Sequence, residues 1–382
     1  MRVLILGGDG YLGWPTAMSF ASFGHEVSVA DNYLRRTIAE ATQSNPLIHS
    51  PNLTDRAAIF EKHTGKNIKV HIGDLSNPDI MFDLIKNEEP DVVVHYAEQP
   101  SAPYSMRGFS EARETLSNNI DVTFNLIWAV TKFAPHAHII KLGTMGEYGT
   151  PDIDIEEGWI EIEHKGRKDK FLYPRAAGSL YHTTKVIDTD LLWFYVRTNG
   201  LRVTDLMQGP VYGISTPETD LDQRLLPHFN YDDLFGTVVN RFLVQAVAGL
   251  PLTVYGAGGQ TRGYLNLIDT LACVRIAAEN PASSGELRIF NQLTETFTVN
   301  EIADLVKSAG ENIGLNVKIE KIQNPRKEKE DHYYNPTHTG LLDLGLKPNF
   351  MTVEVLTDIL EMIIKNKSAI KTEQIMPRVT WS

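Results

Sequence analysis

Short apolar runs punctuate the first half of the chain: VLILGG, HEVSVAD, NIKVHIGD, DVVVHYA and HIIKLGT. Each is brief and closes on small or polar residues, so each reads as a buried strand. Between them, from about Tyr11 to Phe23, over 79–88 and over 119–133, apolar positions fall at helical spacing. This alternation predicts the α/β class, a doubly wound parallel sheet with helices on both faces. RVTDLMQGPVYG supplies a sixth strand, and WIEIEHKGRKDKFLYP alternates with period two around KGRKD, which predicts a hairpin insert near 152–175. Past residue 213 the rhythm turns irregular, with a helix near 299–309 and a charged stretch at 326–332. The expected division is a first domain over 1–212 and a smaller C-terminal lobe over 213–382, some of whose segments return to the first.

Glycines follow the first strand in GGDGYLG. Gly7, Gly10 and Gly13 allow a tight turn and let a pyrophosphate approach the backbone at the head of a helix. The strand before, the helix after and Asp31 at the end of the second strand complete a dinucleotide-binding (Rossmann) pattern, with Tyr11 and Leu12 inside the loop. Asp31 suits the adenosine ribose hydroxyls and repels a 2′-phosphate, which favours NAD. Asn32 stands beside it. Arginines at the places of Arg35 and Arg36 can serve NADP, form a solvated charge pair, or partner the adenine face or pyrophosphate; the carboxylate decides for NAD. Asp74 and Leu75, closing the third strand, suit the adenine, and Asn118 heads the 119–133 stretch.

Far downstream, YHTTK places Tyr181 and Lys185 one helical turn apart on one face. An ammonium near a phenol favours the phenolate. Moving a tyrosine pKa from about 10 toward 7 takes roughly 4 kcal/mol. The result is a base for a sugar or alcohol hydroxyl. Thr144 ends the strand HIIKLGT at the carboxyl edge, where ligands sit in such sheets.

The 382-residue length suits two lobes, and 42% hydrophobic with 22% charged residues describes a globular chain. A net charge of −12 leaves no basic surface to track nucleic-acid phosphates. Cys273 is the one cysteine, so no intrachain disulfide forms and a reducing, cytoplasmic setting is expected. The apolar run in MRVLILGG is too short for a membrane segment. No metal is expected.

The glycine motif, Asp31, Asp74, Thr144, YxxxK, QGPVYG and TVYGAGGQTRG occur in the order seen in extended short-chain dehydrogenases/reductases. The chain resembles the nucleotide-sugar branch of that superfamily over nearly its whole length. By that resemblance Tyr181 removes the sugar 4-hydroxyl proton, Lys185 lowers its pKa and holds the nicotinamide ribose, and Thr144 donates to the same oxygen. Local words, among them LGTMGEYGTPDIDIEEG, APYSM, DLFGTVVNRF, NPRKEKEDHYYN and IMPRVTW, resemble a narrower group that builds a sulfonated nucleotide sugar. That implies UDP-glucose and sulfite as substrates and a tightly held, recycled NAD.

Related 4,6-dehydratases carry an Asp–Glu pair straight after the catalytic threonine; Met145 and Gly146 stand there instead. His182 and Glu147 are the candidates for driving water loss, histidine because it titrates near neutrality. The alternatives are a helix-packing histidine and a carboxylate satisfied by backbone amides. Pro100 stands where the family often has an arginine. For the UDP moiety the resemblance points to Arg262 and Arg326 at the diphosphate, Thr253 and Tyr255 at the uracil, and Gln208 between sugar and nicotinamide. Asn240 and Arg241 are weaker candidates. A UDP-glucose 4-epimerase or 4,6-dehydratase, sharing the first hydride step, and a non-catalytic NAD-binding regulator are the competing readings. The YHTTK and 119–133 helices imply, by the same resemblance, a homodimer.

Overall fold

The structure is a computed structural model and describes residues 1–325 and 333–379. Its first half runs β1 (Arg2–Leu6), α1 (Gly13–Ser22), β2 (Glu26–Asp31), α2 (Leu34–Ala41), α3 (Leu53–Thr64), β3 (Ile68–Ile72), α4 (Pro78–Glu88) and β4 (Val92–His95). Then come α5 (Ala102–Ser105), α6 (Phe109–Phe133), β5 (His138–Thr144), β6 (Trp159–His164), β7 (Arg167–Leu172), α7 (Leu180–Asn199) and β8 (Arg202–Gln208). The remainder is β9 (Val211–Tyr212), α8 (Val238–Ala248), β10 (Leu252–Tyr255), β11 (Thr261–Asn266), α9 (Leu267–Glu279) and β12 (Glu286–Gln292). It ends with β13 (Glu295–Thr298), α10 (Val299–Asn312), β14 (Ile319–Ile322), α11 (Gly340–Asp343) and α12 (Val353–Lys365).

Seven strands pair in parallel in the order β12-β8-β5-β4-β1-β2-β3. Strand side chains alternate between two cores, as a pleated sheet covered on both faces requires. Leu4 and Leu6 join one core with Leu126 and Val130 of α6 and Leu192 of α7. Val3 and Ile5 join the other with Trp14 and Phe20 of α1 and Val274 of α9. Register aligns Thr144, Gln208 and Gln292 in one row at the carboxyl edge. The chain reverses its direction of travel between β1 and β4, and this switch point opens the cleft described below.

The seventh strand, β12, comes from beyond residue 213 and lies on β8, while α9 packs beside α1 in the second core. A third core gathers α8, α10 and α12 around Phe242, Val306 and Leu360. The hairpin forms from β6 and β7, Trp159 opposite Leu172 and His164 opposite Arg167. Its two turn residues, Lys165 and Gly166, both take positive φ, the geometry that matches strand twist in a two-residue turn. Trp159 anchors the hairpin by packing on Trp193 of α7 at 5.0 Å. No helix among the described residues is long and apolar enough to cross a membrane.

Candidate active site

A cleft of about 420 Å³ lies along the carboxyl edge of the sheet. Its floor at one end is the turn from β1 into α1. Gly7 sits at φ +87°, and a Cβ there would stand 2.7 Å from the backbone of Tyr96. A Cβ on Gly13 would collide with the carbonyl oxygen of Gly7. No side chain caps α1 and no acid lies in its first turn, so the head of the helix keeps its positive potential for an anion. Gly7, Gly10, Tyr11, Leu12 and Gly13 all line this end, and the Tyr11 hydroxyl ties the loop to the Gly213 carbonyl.

Asp31 also lines the cleft. Its two oxygens accept from the Tyr33 amide at 2.7 Å and the Asp9 amide at 2.9 Å. Burial, and then the charge of Asp9, push its carboxyl up to about 6. Asn32 reaches Asp74 at 3.4 Å; both line the cleft with Leu75, Asn118 and Arg35. Arg35 donates to Asn230 at 2.7 Å and lies over the Phe235 ring. Arg36 is placed otherwise. It grips Asp9 bidentately at 2.7 and 2.6 Å, donates to the Ser50 and Pro51 carbonyls, and does not line the cleft. Buried Arg56 pairs with the same carboxylate. Burial opposes ionisation of Asp9, but Arg36, His228 and Arg56 together hold its carboxyl below the usual range. The acid inside GGDGYLG was a visible sign of such a centre.

At the other end stand Thr144, Tyr181, His182 and Gln208. Tyr181 and His182 sit in the first turn of α7, which Ser179 caps through the His182 amide. Thr144 Oγ1 accepts from the Gly146 amide at 3.1 Å, and Gln208 donates to Gln292 at 3.2 Å. His182 Nδ1 lies 3.0 Å from Ser179 Oγ. A Cβ on Gly146 would stand 2.5 Å from His182 Nε2. A side chain at position 146 would therefore collide with this imidazole. Met145, its neighbour, is buried in the first core.

Lys185 Nζ lies 5.9 Å from the Tyr181 ring centre. The same Nζ donates to the Leu142 carbonyl at 2.6 Å and pairs with Glu98 Oε1 at 2.6 Å. Burial, and then the charge of Glu98, raise the Tyr181 hydroxyl above its ordinary value. Glu147 is also turned inward. It is fully buried, pairs with Lys141 at 3.2 Å, accepts from the Thr144 amide and does not line the cleft. Burial raises its carboxyl while Lys141 opposes the rise. Of the two candidates for water loss, His182 is the one at the cleft.

A second chamber of about 230 Å³ shares Pro103, Pro210, Gly236 and Thr237 with the first. Tyr255 and Arg262 line it, as does Arg241, whose guanidinium carbon lies 4.0 Å from the Tyr255 ring centre. Thr253 lies behind, its hydroxyl accepting from Gln245 at 2.8 Å and its carbonyl from Arg241 at 3.1 Å. Asn240 likewise faces inward, to the Asn230 carbonyl. Arg326 lies outside the described residues. Two guanidinium groups and an aromatic ring suit a nucleoside diphosphate.

The profile of the NAD dependent epimerase/dehydratase family matches residues 3–291. The chloroplastic UDP-sulfoquinovose synthase of Spinacia oleracea is 47% identical over 380 residues, covering 100% of this chain and 79% of the relative. UDP-sulfoquinovose synthase of Sulfolobus acidocaldarius is 44% identical, covering 100% of this chain and 98% of the relative. The fold matches that of a UDP-glucose 4-epimerase from Bifidobacterium longum, solved with NAD+ and UDP, at a TM-score of 0.72 and 20% identity, over 96% of this chain and 99% of that one. The chain belongs to the NAD dependent epimerase/dehydratase family and, within it, to the UDP-sulfoquinovose synthases.

Proposed function

We propose that this chain converts UDP-glucose and sulfite to UDP-sulfoquinovose and water. The observation that carries the reading is the His182 imidazole seated over Gly146, beside Tyr181 and Thr144, in a cleft that shares Pro103, Pro210, Gly236 and Thr237 with a chamber fit for UDP. The glycine cradle and Asp31 fit NAD, which when bound accepts the C4 hydride and returns it at the end. Tyr181 takes the proton of the 4-hydroxyl, and Thr144 donates to the same oxygen. The C4 ketone acidifies the C5 proton. Water then leaves across C5 and C6, with His182 as the group that moves protons there. Sulfite adds at C6 of the enone, C5 regains a proton, and Tyr181 gives its proton back to the C4 oxygen. Tyr255, Arg241 and Arg262 hold the uridine diphosphate.

Purified protein incubated with NAD, UDP-glucose and sulfite is expected to yield a sulfonated UDP-hexose by mass spectrometry. UDP-galactose, or a 4-keto-6-deoxy sugar without sulfur, would overturn the reading.

We further propose that a second copy covers the outer face of α6 and α7, and that the enzyme works in a cytoplasmic, reducing setting suited to its buried Cys273. Phe124, Trp128 and Phe194 are 41%, 42% and 49% exposed, and Tyr195 joins all three edge to face. An aromatic patch of that kind marks an interface more often than a solvated surface. Sedimentation is expected to give a dimer at micromolar concentration; a monomer there would sink the dimer.

A further inference from the structure

Glu98, three residues past the end of β4, plays no part in the steps above. Its side chain is 2% exposed, yet it lines the cleft. Neither carboxylate oxygen accepts a hydrogen bond from the described residues; the contacts are the 2.6 Å ion pair with Lys185 and a 3.6 Å approach to His95. A buried carboxylate with so few donors is costly, so its place beside the Tyr–Lys pair calls for a reason.

We propose that Glu98 is a positioning residue: it fixes the buried Lys185 ammonium beneath the cleft lining and keeps the substrate's 4-hydroxyl proton on Tyr181 between oxidation and re-reduction of C4. This inference rests on the proposed reaction and deepens it. An enzyme with no net redox must use one hydroxyl first as base, then as acid. The proton leaves the 4-hydroxyl for the Tyr181 oxygen as C4 loses hydride, and returns to the sugar oxygen when hydride returns. A tyrosine that released its proton to solvent between these steps would stall the cycle at the ketone.

The charges facing Tyr181 fit this role. On α7 they are His182, Lys185 and Asp188; from β5, Lys141; and from the turn after it, Glu147; His95 of β4 stands against Glu98. Glu147 is answered by Lys141, and burial pushes the Asp188 carboxyl well up. Burial also drives His95 down to about 4, so it is neutral at working pH. Glu98 is then the anion set against Lys185, and its charge favours the protonated phenol.

The test compares Glu98→Gln and Glu98→Asp with the wild type in two assays: single-turnover nicotinamide reduction by UDP-glucose across pH, and kcat for the sulfonated product. In Glu98→Gln the acid limb of nicotinamide reduction is expected to move down by about one pH unit, while kcat for product falls several-fold. Glu98→Asp withdraws the charge by one methylene, so a smaller shift in the same direction is expected and the test survives if Glu98→Gln does not fold. An unmoved limb, or a fall in both rates without a shift, would assign Glu98 a merely structural role and overturn the proposal. Nicotinamide reduction precedes sulfite addition, so this outcome is readable even from a chain that never incorporates sulfite.

Discussion

Tyr181→Phe is expected to lower kcat by about a thousandfold or more while leaving NAD affinity within a few-fold of wild type. The substitution removes one oxygen and keeps the ring, which packs on His182 at 5.1 Å. A positioned acid–base group contributes roughly 10²–10⁴-fold per proton transfer, and the proposed cycle uses this hydroxyl twice. Thr144 Oγ1 stands at the same end of the cleft but is a neutral alcohol whose alkoxide is not populated near neutral pH, so it has no base form to take the proton in its place. Nicotinamide absorbance after mixing with UDP-glucose reports the first step, and fluorescence titration reports the cofactor. A variant that retains more than a tenth of wild-type turnover would remove Tyr181 from the chemistry.

The alternation of strands and helices was legible because each strand of the sheet is a short apolar run between polar breaks. The first half of α6 escaped notice because SEARETLSN is largely solvated and has no apolar stripe to reveal a helix. β12 was hidden for a related reason. Its alternation, with Arg288 among apolar residues, resembles an edge strand of the smaller lobe, and only the register with β8 shows it at the rim of the main sheet.

The site divides in the same way. Spacing alone places Tyr181 and Lys185 on one face of α7, since one helical turn is local geometry. What surrounds an ammonium is not local: Glu98 comes from the turn after β4, 87 positions before Lys185 in sequence, and no spacing rule joins them. Arg36 illustrates the same limit, because its partner Asp9 lies one strand away. The substitution of Met145 and Gly146 for an acidic pair was visible as a departure. That Gly146 lies against the imidazole of His182 needed the helix that follows.

Lys141→Met is expected to destabilise the fold by on the order of 4 kcal/mol at neutral pH, the usual cost of breaking one side of a buried ion pair. Lys141 is fully buried on β5, and its Nζ lies 3.2 Å from Glu147 and 3.2 Å from Asp205, with Thr189 at 2.7 Å and the Lys185 carbonyl at 3.1 Å. Methionine fills similar volume, so the loss is one of charge and hydrogen bonds, leaving two carboxylates facing each other beside Arg175 at 3.7 Å. Burial already pushes Glu147 up, and without Lys141 it rises further. An acid whose folded pKa lies above its unfolded value stabilises most below the unfolded pKa and loses that contribution as pH rises through the folded one. The defect is therefore expected to be mild near pH 5 and full near pH 8, the reverse of ordinary acid sensitivity. Urea unfolding at both pH values, together with Lys141→Met in an Asp205→Asn background, checks the argument. The second change should recover part of the loss at pH 8. A defect of equal size at both pH values would mean that packing, not the stranded charge, is what Lys141 supplies. Activity should fall with stability, because Glu147 also accepts from the Thr144 amide at 3.2 Å and so couples this buried cluster to the threonine at the cleft.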